Sequence, residues 1–151
     1  MKVKAAGIFV VRKDKTLLIC HPTNHAMDFW SIPKGKVEDG ETTLQAAIRE
    51  TYEESNLYLS GSAEFDIHVM SSVNYTHGKK ELHPFLFHEN ASSNINWVEV
   101  NKTIKCNSDV PDERGDFPEM DDYKWISLDE AKDLLHYTQV ACIDKIIEII
   151  M

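Results

Sequence analysis

The sequence predicts a single α/β domain, and three observations lead to that fold class. With 151 residues the chain is long enough to bury one hydrophobic core without disulfide bonds or metal ions. Hydrophobic residues make up 42% and charged residues 27%, which is the composition of a globular protein. Short apolar segments alternate with two amphipathic helical segments, so we expect an α/β sandwich that spans residues 1–151 as one domain.

The first predicted elements are a β-hairpin and a long loop. Residues 3–12 and 16–20 are rich in β-branched and apolar side chains and flank a turn-like Lys-Asp-Lys segment, which predicts two paired strands. Residues 21–36 contain two prolines and a glycine and show no helical periodicity. We therefore expect a loop there, with one short strand around Trp30.

A helix and a series of strands follow. Thr42 and Gln45 have the spacing of a capping box, which predicts a helix that begins at about residue 42, and Asn56 can end it in the left-handed conformation. Strands are predicted at residues 65–75, 82–88, 95–100 and 123–127, with a turn at 77–80 and an acidic loop at 107–122. A last helix, capped by Ser127 or Asp129, is predicted to continue to about residue 150.

Charge and cysteine content exclude several classes of function. The net charge of −9, from 25 acidic and 16 basic residues, opposes unaided binding to nucleic acid or to an anionic membrane. The three cysteines form no CxxC pair, which argues against a disulfide framework or a zinc site. The first apolar run is too short to span a bilayer and lacks a cleavage site behind it, so we expect a cytoplasmic protein that does not bind membranes. We expect it to be a monomer or a homodimer.

One face of the first helix carries three carboxylates. At about 100° of rotation per residue, Glu50, Glu53 and Glu54 fall within about 100° of one another. The apolar side chains lie roughly 115° away and should pack on the sheet; they are Leu44, Ala47, Ile48 and Thr51. An acidic face is often only a solvated surface, and we expect this one to be exposed. Like charges at these spacings destabilise a helix, however, and a divalent cation such as Mg²⁺ reverses that effect.

The wider pattern around the helix resembles the Nudix box, G-x5-E-x7-R-E-U-x-E-E-x-G-U, in which U is aliphatic. The residues in register with it are Gly35, Glu41, Arg49, Glu50, Glu53, Glu54 and Leu57. Thr51 replaces the first aliphatic residue and Asn56 replaces the second glycine. Both changes are mild, because Thr51 still presents a methyl group and asparagine tolerates a positive φ. On this match the chain is identified as a member of the Nudix hydrolase family.

The resemblance implies a single-domain α/β/α sandwich with a mixed central sheet. It also implies hydrolysis of a nucleoside diphosphate linked to another moiety, X, with Mg²⁺ or alternatively Mn²⁺ as cofactor. By the same resemblance the metal ligands would be Glu50, Glu53, Glu54 and the carbonyl of Gly35. Arg49 would orient a neighbouring glutamate, and Glu41 would support the loop or reach a second metal ion through water.

The resemblance leaves the general base open. In some members of the family a glutamate of the box accepts the proton of the attacking water, and here that residue would be Glu53. In others the base comes from a later loop, and Glu119, six residues before Trp125, has a similar offset. Glu113 in the same acidic loop is the competing candidate. The catalytic candidates are therefore Glu53 and Glu119, together with Arg49.

Residues 30–36, WSIPKGK, resemble the W-x-x-P-K-G segment of dinucleoside polyphosphate (Ap4A-type) Nudix hydrolases. Lys34 and Lys36 would supply the positive charge that binds the phosphates. Tyr75 would stack on adenine, and the other aromatic candidates for that role are Phe85, Trp97 and Tyr137. The alternatives are an ADP-ribose, FAD or ADP-sugar pyrophosphatase, a nucleoside triphosphate pyrophosphohydrolase, an enzyme for capped RNA ends, and a silent sensor module. Because all box glutamates are present, we expect an enzyme that acts on a nucleotide-derived small molecule.

Overall fold

The computed structural model describes residues 2–59, 63–75 and 77–151. The first half of the chain contains β1 (Val3–Val11), β2 (Thr16–Pro22), β3 (Lys34–Lys36), α1 (Thr43–Ser55), β4 (Phe65–Val69) and β5 (Val73–Tyr75). The second half contains β6 (Lys80–Glu89), α2 (Trp97–Asn101), β7 (Asp109–Val110), β8 (Phe117–Pro118), β9 (Met120–Ser127), α3 (Leu128–Leu134) and α4 (Tyr137–Ile150). Among the helices in these ranges, none combines the length and hydropathy needed to cross a membrane.

A mixed sheet forms the centre of the molecule, with strand order β4-β6-β1-β2-β9. β1 runs parallel to β6 and antiparallel to β2, while β3 pairs with β1 and β5 pairs with β6. The last seven residues of β1 are all buried, because helices cover both faces of the sheet at this point. The expected single-domain α/β sandwich with a mixed central sheet is confirmed.

Alternate residues of β1 and β2 supply two separate cores, one on each face of the sheet. Ala6, Ile8 and Val10 pack with Ala46 and Ala47 of α1 on one face. Phe9, Leu17, Ile19, Ile143 and Ile146 belong to the other core, where α3 and α4 cover the sheet. The first helix is therefore fixed to the sheet by its apolar face, which determines where its carboxylates lie.

The ends of α1 agree with the sequence prediction. The side chain of Thr42 accepts a hydrogen bond from the backbone of Gln45, and the side chain of Gln45 accepts one from the backbone of Thr42. Asn56 ends the helix with φ of 67°, the left-handed conformation that asparagine tolerates. The capping residues thus fix both ends of α1.

Five of the predicted elements need correction. Residues 97–101 form helix α2 and not a strand, because Asn96 caps the segment and Trp97 donates its indole N–H to Glu89. The predicted strand 65–75 is divided into β4 and β5. The predicted C-terminal helix is divided into α3 and α4, since the Leu134 carbonyl bonds to Trp30 and His136 caps a new helix. The acidic loop contains the short β7–β8 hairpin, and β9 already begins at Met120.

Candidate active site

Strand β3 carries Lys34 and Gly35 and lies between β1 and α1. Gly7 of β1 permits this position, because an added Cβ there would lie 2.6 Å from the Pro33 carbonyl oxygen and 2.7 Å from Cβ of Lys34. Gly35 in turn gives room to the carboxyl group of Glu50, which an added Cβ would approach to 2.1 Å. Two glycines therefore place the backbone of β3 directly against the acidic face of α1.

Arg49 forms hydrogen bonds with three carboxylates of the acidic segment, those of Glu41, Glu50 and Glu53. Its Nε donates to Glu41 Oε2 at 2.7 Å and its Nη1 donates to Glu50 Oε1 at 2.8 Å. Nη1 also reaches Glu53 at 3.2 Å, and Nη2 donates to the Lys36 carbonyl at 2.9 Å. The hydrogen bond from Arg49 lowers the pKa of Glu41. A planar guanidinium with several fixed donors holds this arrangement, which a lysine ammonium cannot do.

The acidic face of α1 is largely buried, so the expectation that it is exposed is wrong. Glu54 is 0% exposed and Glu50 is 8% exposed, while Glu53 is half-buried. The face is covered because β3 lies along it, with the Lys34 N–H donating to Glu54 Oε1 at 3.1 Å. At the end of α1, Tyr123 of β9 donates its hydroxyl to the backbone carbonyl of Glu54.

The second carboxyl oxygen of Glu54 has no hydrogen-bond partner within the described residues. Burial raises the pKa of Glu54 well above its ordinary value, and the neighbouring charge and side chain of Glu119 raise it further. Glu119 is held in place by Ser108, whose hydroxyl donates to its Oε2 at 2.9 Å, and by Thr23, whose N–H donates to its carbonyl at 3.0 Å. Two carboxyl groups, that of the buried Glu54 and that of Glu119, therefore lie close together.

A cavity of about 490 Å³ opens over these two carboxyl groups. Its lining residues are Pro22, Thr23, His25, Phe29, Ser31, Lys34, Glu54, Tyr75, Val110, Phe117, Glu119, Met120, His136, Thr138 and Gln139. The ammonium of Lys34 lies 5.7 Å from the centre of the Tyr75 ring, and that of Lys80 lies 5.5 Å from it. Burial lowers the pKa of Lys34, although Glu54 acts in the opposite sense. Positive and negative groups thus line the same cavity.

The structure brings four of the predicted site residues into this cavity: Lys34, Glu54, Tyr75 and Glu119. Gly35, Arg49, Glu50 and Glu53 lie beside it along β3 and α1 but are not among the residues that line it. The side chain of Lys36 is exposed, and only its carbonyl contacts the site, through Arg49. Glu113 lies exposed between β7 and β8, away from the lining.

Sequence reasoning missed several lining residues, among them His25, Phe29, Phe117 and His136. One signal was present, because Phe117 is an isolated aromatic residue in an otherwise acidic loop. His136 accepts a hydrogen bond from the Thr138 N–H at 3.3 Å and so begins α4 at the cavity. Burial and the charge of Lys34 lower the pKa of His136. Of the other aromatic candidates, Phe85 is buried in the core and Tyr137 is 72% exposed.

The residues present fit a divalent cation, although their side chains do not converge on one. Within the described ranges, no three acidic, histidine or cysteine side chains are placed so that they could hold a metal ion. Arg49 explains this, since it binds both Glu50 and Glu53. The donors are nevertheless all oxygen atoms, as Mg²⁺ prefers, and Glu54 has a buried oxygen that lacks a partner.

Comparison with known proteins agrees with the geometry. A family model described as the NUDIX domain matches residues 1–146. The bis(5'-nucleosyl)-tetraphosphatase (asymmetrical) of Caenorhabditis elegans is 30% identical over 145 residues, covering 93% of this chain and 90% of that protein. An RNA pyrophosphohydrolase of Pelagibacter ubique is 26% identical, covering 85% and 78%. The crystal structure of C. elegans Ap4A hydrolase superposes with a TM-score of 0.69 at 25% identity and covers 100% of both chains.

Proposed function

This chain belongs to the Nudix family, and we propose that it hydrolyses dinucleoside polyphosphates of the Ap4A type with Mg²⁺, or alternatively Mn²⁺, as cofactor. That it is a pyrophosphohydrolase follows from its family and its relatives. The observation that carries the proposal is the unpartnered carboxyl oxygen of Glu54, which meets Glu119 in a cavity beside Lys34. The similarity to the C. elegans tetraphosphatase supports the choice of substrate.

The carboxylates of α1 bind the cation in this proposal, and Arg49 and Glu41 hold them in position. Glu50, Glu53 and Glu54, with the Gly35 carbonyl, would hold the cation. What Mg²⁺ supplies when bound there is neutralisation of the phosphate oxygens and of the charge that develops on the leaving oxygen. Arg49 keeps Glu50 and Glu53 at fixed positions, because it donates to both from one nitrogen. Glu41 supports that arrangement by accepting two hydrogen bonds from Arg49.

Glu119 is the general base that the geometry favours. A water molecule attacks one phosphorus atom, a new O–P bond forms, the bridging P–O bond breaks, and the carboxylate of Glu119 accepts the proton of the water. Ser108 fixes the orientation of that carboxylate. Glu53 is the alternative, but it is bound to Arg49 and lies outside the cavity lining. A pH–rate profile whose limbs move in Glu119→Gln and not in Glu53→Gln would assign the base to Glu119.

Lys34 and Tyr75 are the groups that would bind the substrate within the cavity. The Lys34 ammonium offers a charge-assisted hydrogen bond to phosphate oxygens in a partly buried site. Tyr75 presents a ring for stacking, and its buried hydroxyl has no partner within the described residues, so it can bond to the ligand. Lys36 acts from the exposed rim, where it would attract the phosphate chain rather than enclose it.

The test is a hydrolysis assay with Mg²⁺ or Mn²⁺ against Ap4A, Ap3A, ADP-ribose, FAD and dGTP. We expect the highest kcat/KM for Ap4A, with AMP and ATP separated from ADP as products by chromatography. A triphosphorylated RNA belongs in the same panel, because of the RNA pyrophosphohydrolase relative, although the net charge of −9 opposes RNA binding. If no compound is hydrolysed, the proposed enzymatic activity is wrong. If another compound gives a higher kcat/KM than Ap4A, the proposed substrate is wrong.

A further inference from the structure

We propose that Asn56 and Asn107 are positioning residues, which hold the segment that carries the general base at a fixed place beside the metal-binding helix. The two side chains and their hydrogen bonds are called the tether below. Position 56 is where the Nudix box has a glycine, so the tether is a feature of this chain and not of the box pattern. The inference rests on the proposed function, because it concerns the general base of that reaction.

Two side-chain amides connect the end of α1 to the segment 103–107. Asn56 donates from Nδ2 to the Thr103 carbonyl at 2.9 Å, and its Oδ1 accepts from Asn107 Nδ2 at 2.8 Å. The same nitrogen of Asn107 donates to the Tyr52 carbonyl at 3.1 Å. Because a backbone carbonyl can only accept a hydrogen bond, these contacts determine the orientation of both amides.

Backbone hydrogen bonds join the same two segments. The Asn107 N–H donates to the Glu53 carbonyl at 2.6 Å, and the Lys105 N–H donates to the Ser55 carbonyl at 3.3 Å. Carbonyls in the last turn of a helix have no partner within the helix, so the segment supplies donors that the end of α1 needs. The tether therefore adds two side chains to a contact that the backbone already favours.

The residue after Asn107 extends this connection to the general base. The Ser108 carbonyl accepts from the Glu119 N–H at 2.9 Å, and the Ser108 hydroxyl donates to Glu119 Oε2 at 2.9 Å. Cys106 supports this contact, because its Sγ donates to the Ser108 carbonyl at 3.1 Å and accepts from the Met120 N–H at 3.4 Å. Both the backbone and the carboxyl group of Glu119 are therefore held by the segment that the tether binds to α1.

The reaction depends on the relative position of these two segments. Glu54 belongs to α1, whereas Glu119 lies between β8 and β9, so the separation of their carboxyl groups depends on contacts between those elements. A displacement of a reacting group by about 1 Å can cost about 100-fold in rate. Neither Asn56 nor Asn107 lines the cavity, so we expect the tether to affect the chemical step and not the binding of substrate.

The experiment removes the tether without changing the end of the helix. Asn56→Gly keeps the left-handed conformation, with φ of 67°, because glycine adopts it without strain. With the preferred substrate and Mg²⁺, we expect kcat to fall roughly tenfold, while KM and the Mg²⁺ concentration for half-maximal rate stay unchanged. The loss should be partial, since Tyr123 still connects β9 to the Glu54 carbonyl. Asn107→Ala should act in the same way, and the double variant should be no slower than the slower single variant.

Hydrogen exchange measured by NMR reports on the tether without an assay of activity. The informative amides are those of Asn107, bonded to the Glu53 carbonyl, and of Glu119, bonded to the Ser108 carbonyl. We expect both to exchange roughly tenfold faster in Asn56→Gly, because the segment opens more often when its side-chain bonds are lost. The melting temperature should hardly change, since glycine is well suited to the left-handed end of a helix.

Two control variants separate the tether from a general loss of hydrogen bonds. Asn56→Asp keeps an acceptor oxygen for Asn107 and should retain most of kcat. Asn90→Ala removes another side-chain amide, which donates to the Ala63 carbonyl at 2.8 Å outside the cavity lining, and it should change neither kcat nor exchange at Asn107. An aspartate variant as slow as Asn56→Gly, or an equal loss in Asn90→Ala, would show that the bond between Asn56 and Asn107 is not responsible.

The outcomes distinguish the tether from the proposed function. Normal kcat in Asn56→Gly, or unchanged exchange at Glu119, would overturn the tether. A raised KM with unchanged kcat would also overturn it, because that pattern indicates a role in binding. If the unmodified protein hydrolyses no compound of the panel but exchange at Glu119 still depends on Asn56, the link between the two segments is supported and the proposed function is wrong. Hydrolysis of Ap4A that does not depend on Asn56 would support the proposed function and reject the tether.

Discussion

Glu54 and Glu89 are buried to almost the same extent, 0% and 4% exposed, but their surroundings differ in one respect. Every carboxyl oxygen of Glu89 has a donor: the Lys13 N–H at 2.8 Å, the Trp97 indole N–H at 3.0 Å and the Ser93 hydroxyl at 2.6 Å. Glu54 has the Lys34 N–H for one oxygen and no donor for the other among the described residues. Both glutamates are thus buried, but only Glu89 has a hydrogen-bond donor for each of its carboxyl oxygens.

The two environments move the pKa in opposite directions. Burial alone raises the pKa of either carboxyl group. At Glu89 the hydrogen bonds from Ser93, Lys13 and Trp97 outweigh burial and lower the pKa. At Glu54 burial is reinforced by Glu119, and the pKa rises. The comparison teaches that a buried charge identifies a site only where it lacks partners, because a buried charge with all its donors stabilises the fold.

Neutralisation of Glu54 should have the largest effect on activity. Glu54→Gln should lower kcat more than about 100-fold, because even residues that only support a metal site typically cost 10–100-fold. Its melting temperature should stay the same or rise, since repulsion from Glu119 and Glu50 is removed. Steady-state kinetics and thermal denaturation measure the two effects, with Glu99→Gln on exposed α2 as the control. Normal turnover with lost stability would reverse the roles of Glu54 and Glu89.

Arg49 gives a case between these two, because its carboxylate neighbours are paired but lie next to the site. Arg49→Lys keeps the charge and loses the fork that binds Glu41, Glu50 and Glu53 together. We expect kcat to fall by about 10–100-fold and the Mg²⁺ concentration for half-maximal rate to rise. A lysine variant with full activity would show that charge alone, without fixed geometry, is sufficient there.

Truncation of Glu89 should give the opposite result to Glu54→Gln. Glu89→Ala leaves one buried donor, on Ser93, and two partly buried donors, on Lys13 and Trp97, without an acceptor, so we expect a loss of about 2 kcal/mol in the free energy of unfolding. Glu89→Gln keeps an acceptor oxygen and should cost less. Urea denaturation measures both, and kcat of the remaining folded protein should be unchanged. A large loss of kcat in folded Glu89→Gln would contradict a purely structural role.

The smallest effect we expect is on the pH dependence of stability, to which Glu89 and His21 should contribute with opposite sign. The lowered pKa of Glu89 means that its stabilisation is present above its ordinary value of 4.5 and is lost as the pH falls through the folded value. For His21, burial lowers the pKa, but the hydrogen bonds to Asp121 at 2.6 Å and to the Ala26 carbonyl outweigh it and raise the pKa. Its stabilisation is therefore complete below its ordinary value of 6.5 and is lost as the pH rises through the folded value.

Thermal melts from pH 3 to 9 distinguish these two contributions. Glu89→Gln should differ from the unmodified protein mainly at neutral pH, and His21→Gln mainly at acidic pH. We expect differences of about 2–4 °C, the shift that about 1 kcal/mol produces in a chain of this size. A difference that does not change with pH at either residue would show that packing, and not charge, is lost.

The features of the fold that the sequence predicts are those determined by residues close together in the chain. The ends of α1 could be predicted because Thr42, Gln45 and Asn56 act within the helix itself. Helix α2 and the break before α4 could not, since Trp97 of α2 bonds to Glu89 outside the helix and the Leu134 carbonyl bonds to Trp30, which is remote in the chain. The same applies to the site, where spacing groups the carboxylates on one face but does not reveal that β3 buries them.

The lining of the cavity was the least predictable part. Tyr75 and Glu119 could be proposed from the resemblance, whereas Phe29 and His136 join the cavity only because separate segments meet there. No period or motif connects those segments. Aromatic residues in loops carry too little information by themselves to be assigned to a binding surface.

Substitution of Gly7 should remove activity although the residue lies outside the active site. It lies in the middle of a buried strand, 28 positions before Gly35, and touches neither Glu54 nor Glu119 in any contact that defines the cavity. An alanine there would nevertheless collide with Pro33 and Lys34 and displace the segment that carries Gly35. A random mutagenesis screen for lost activity should therefore recover position 7 alongside the acidic residues, and the folded but inactive protein would look like a catalytic variant.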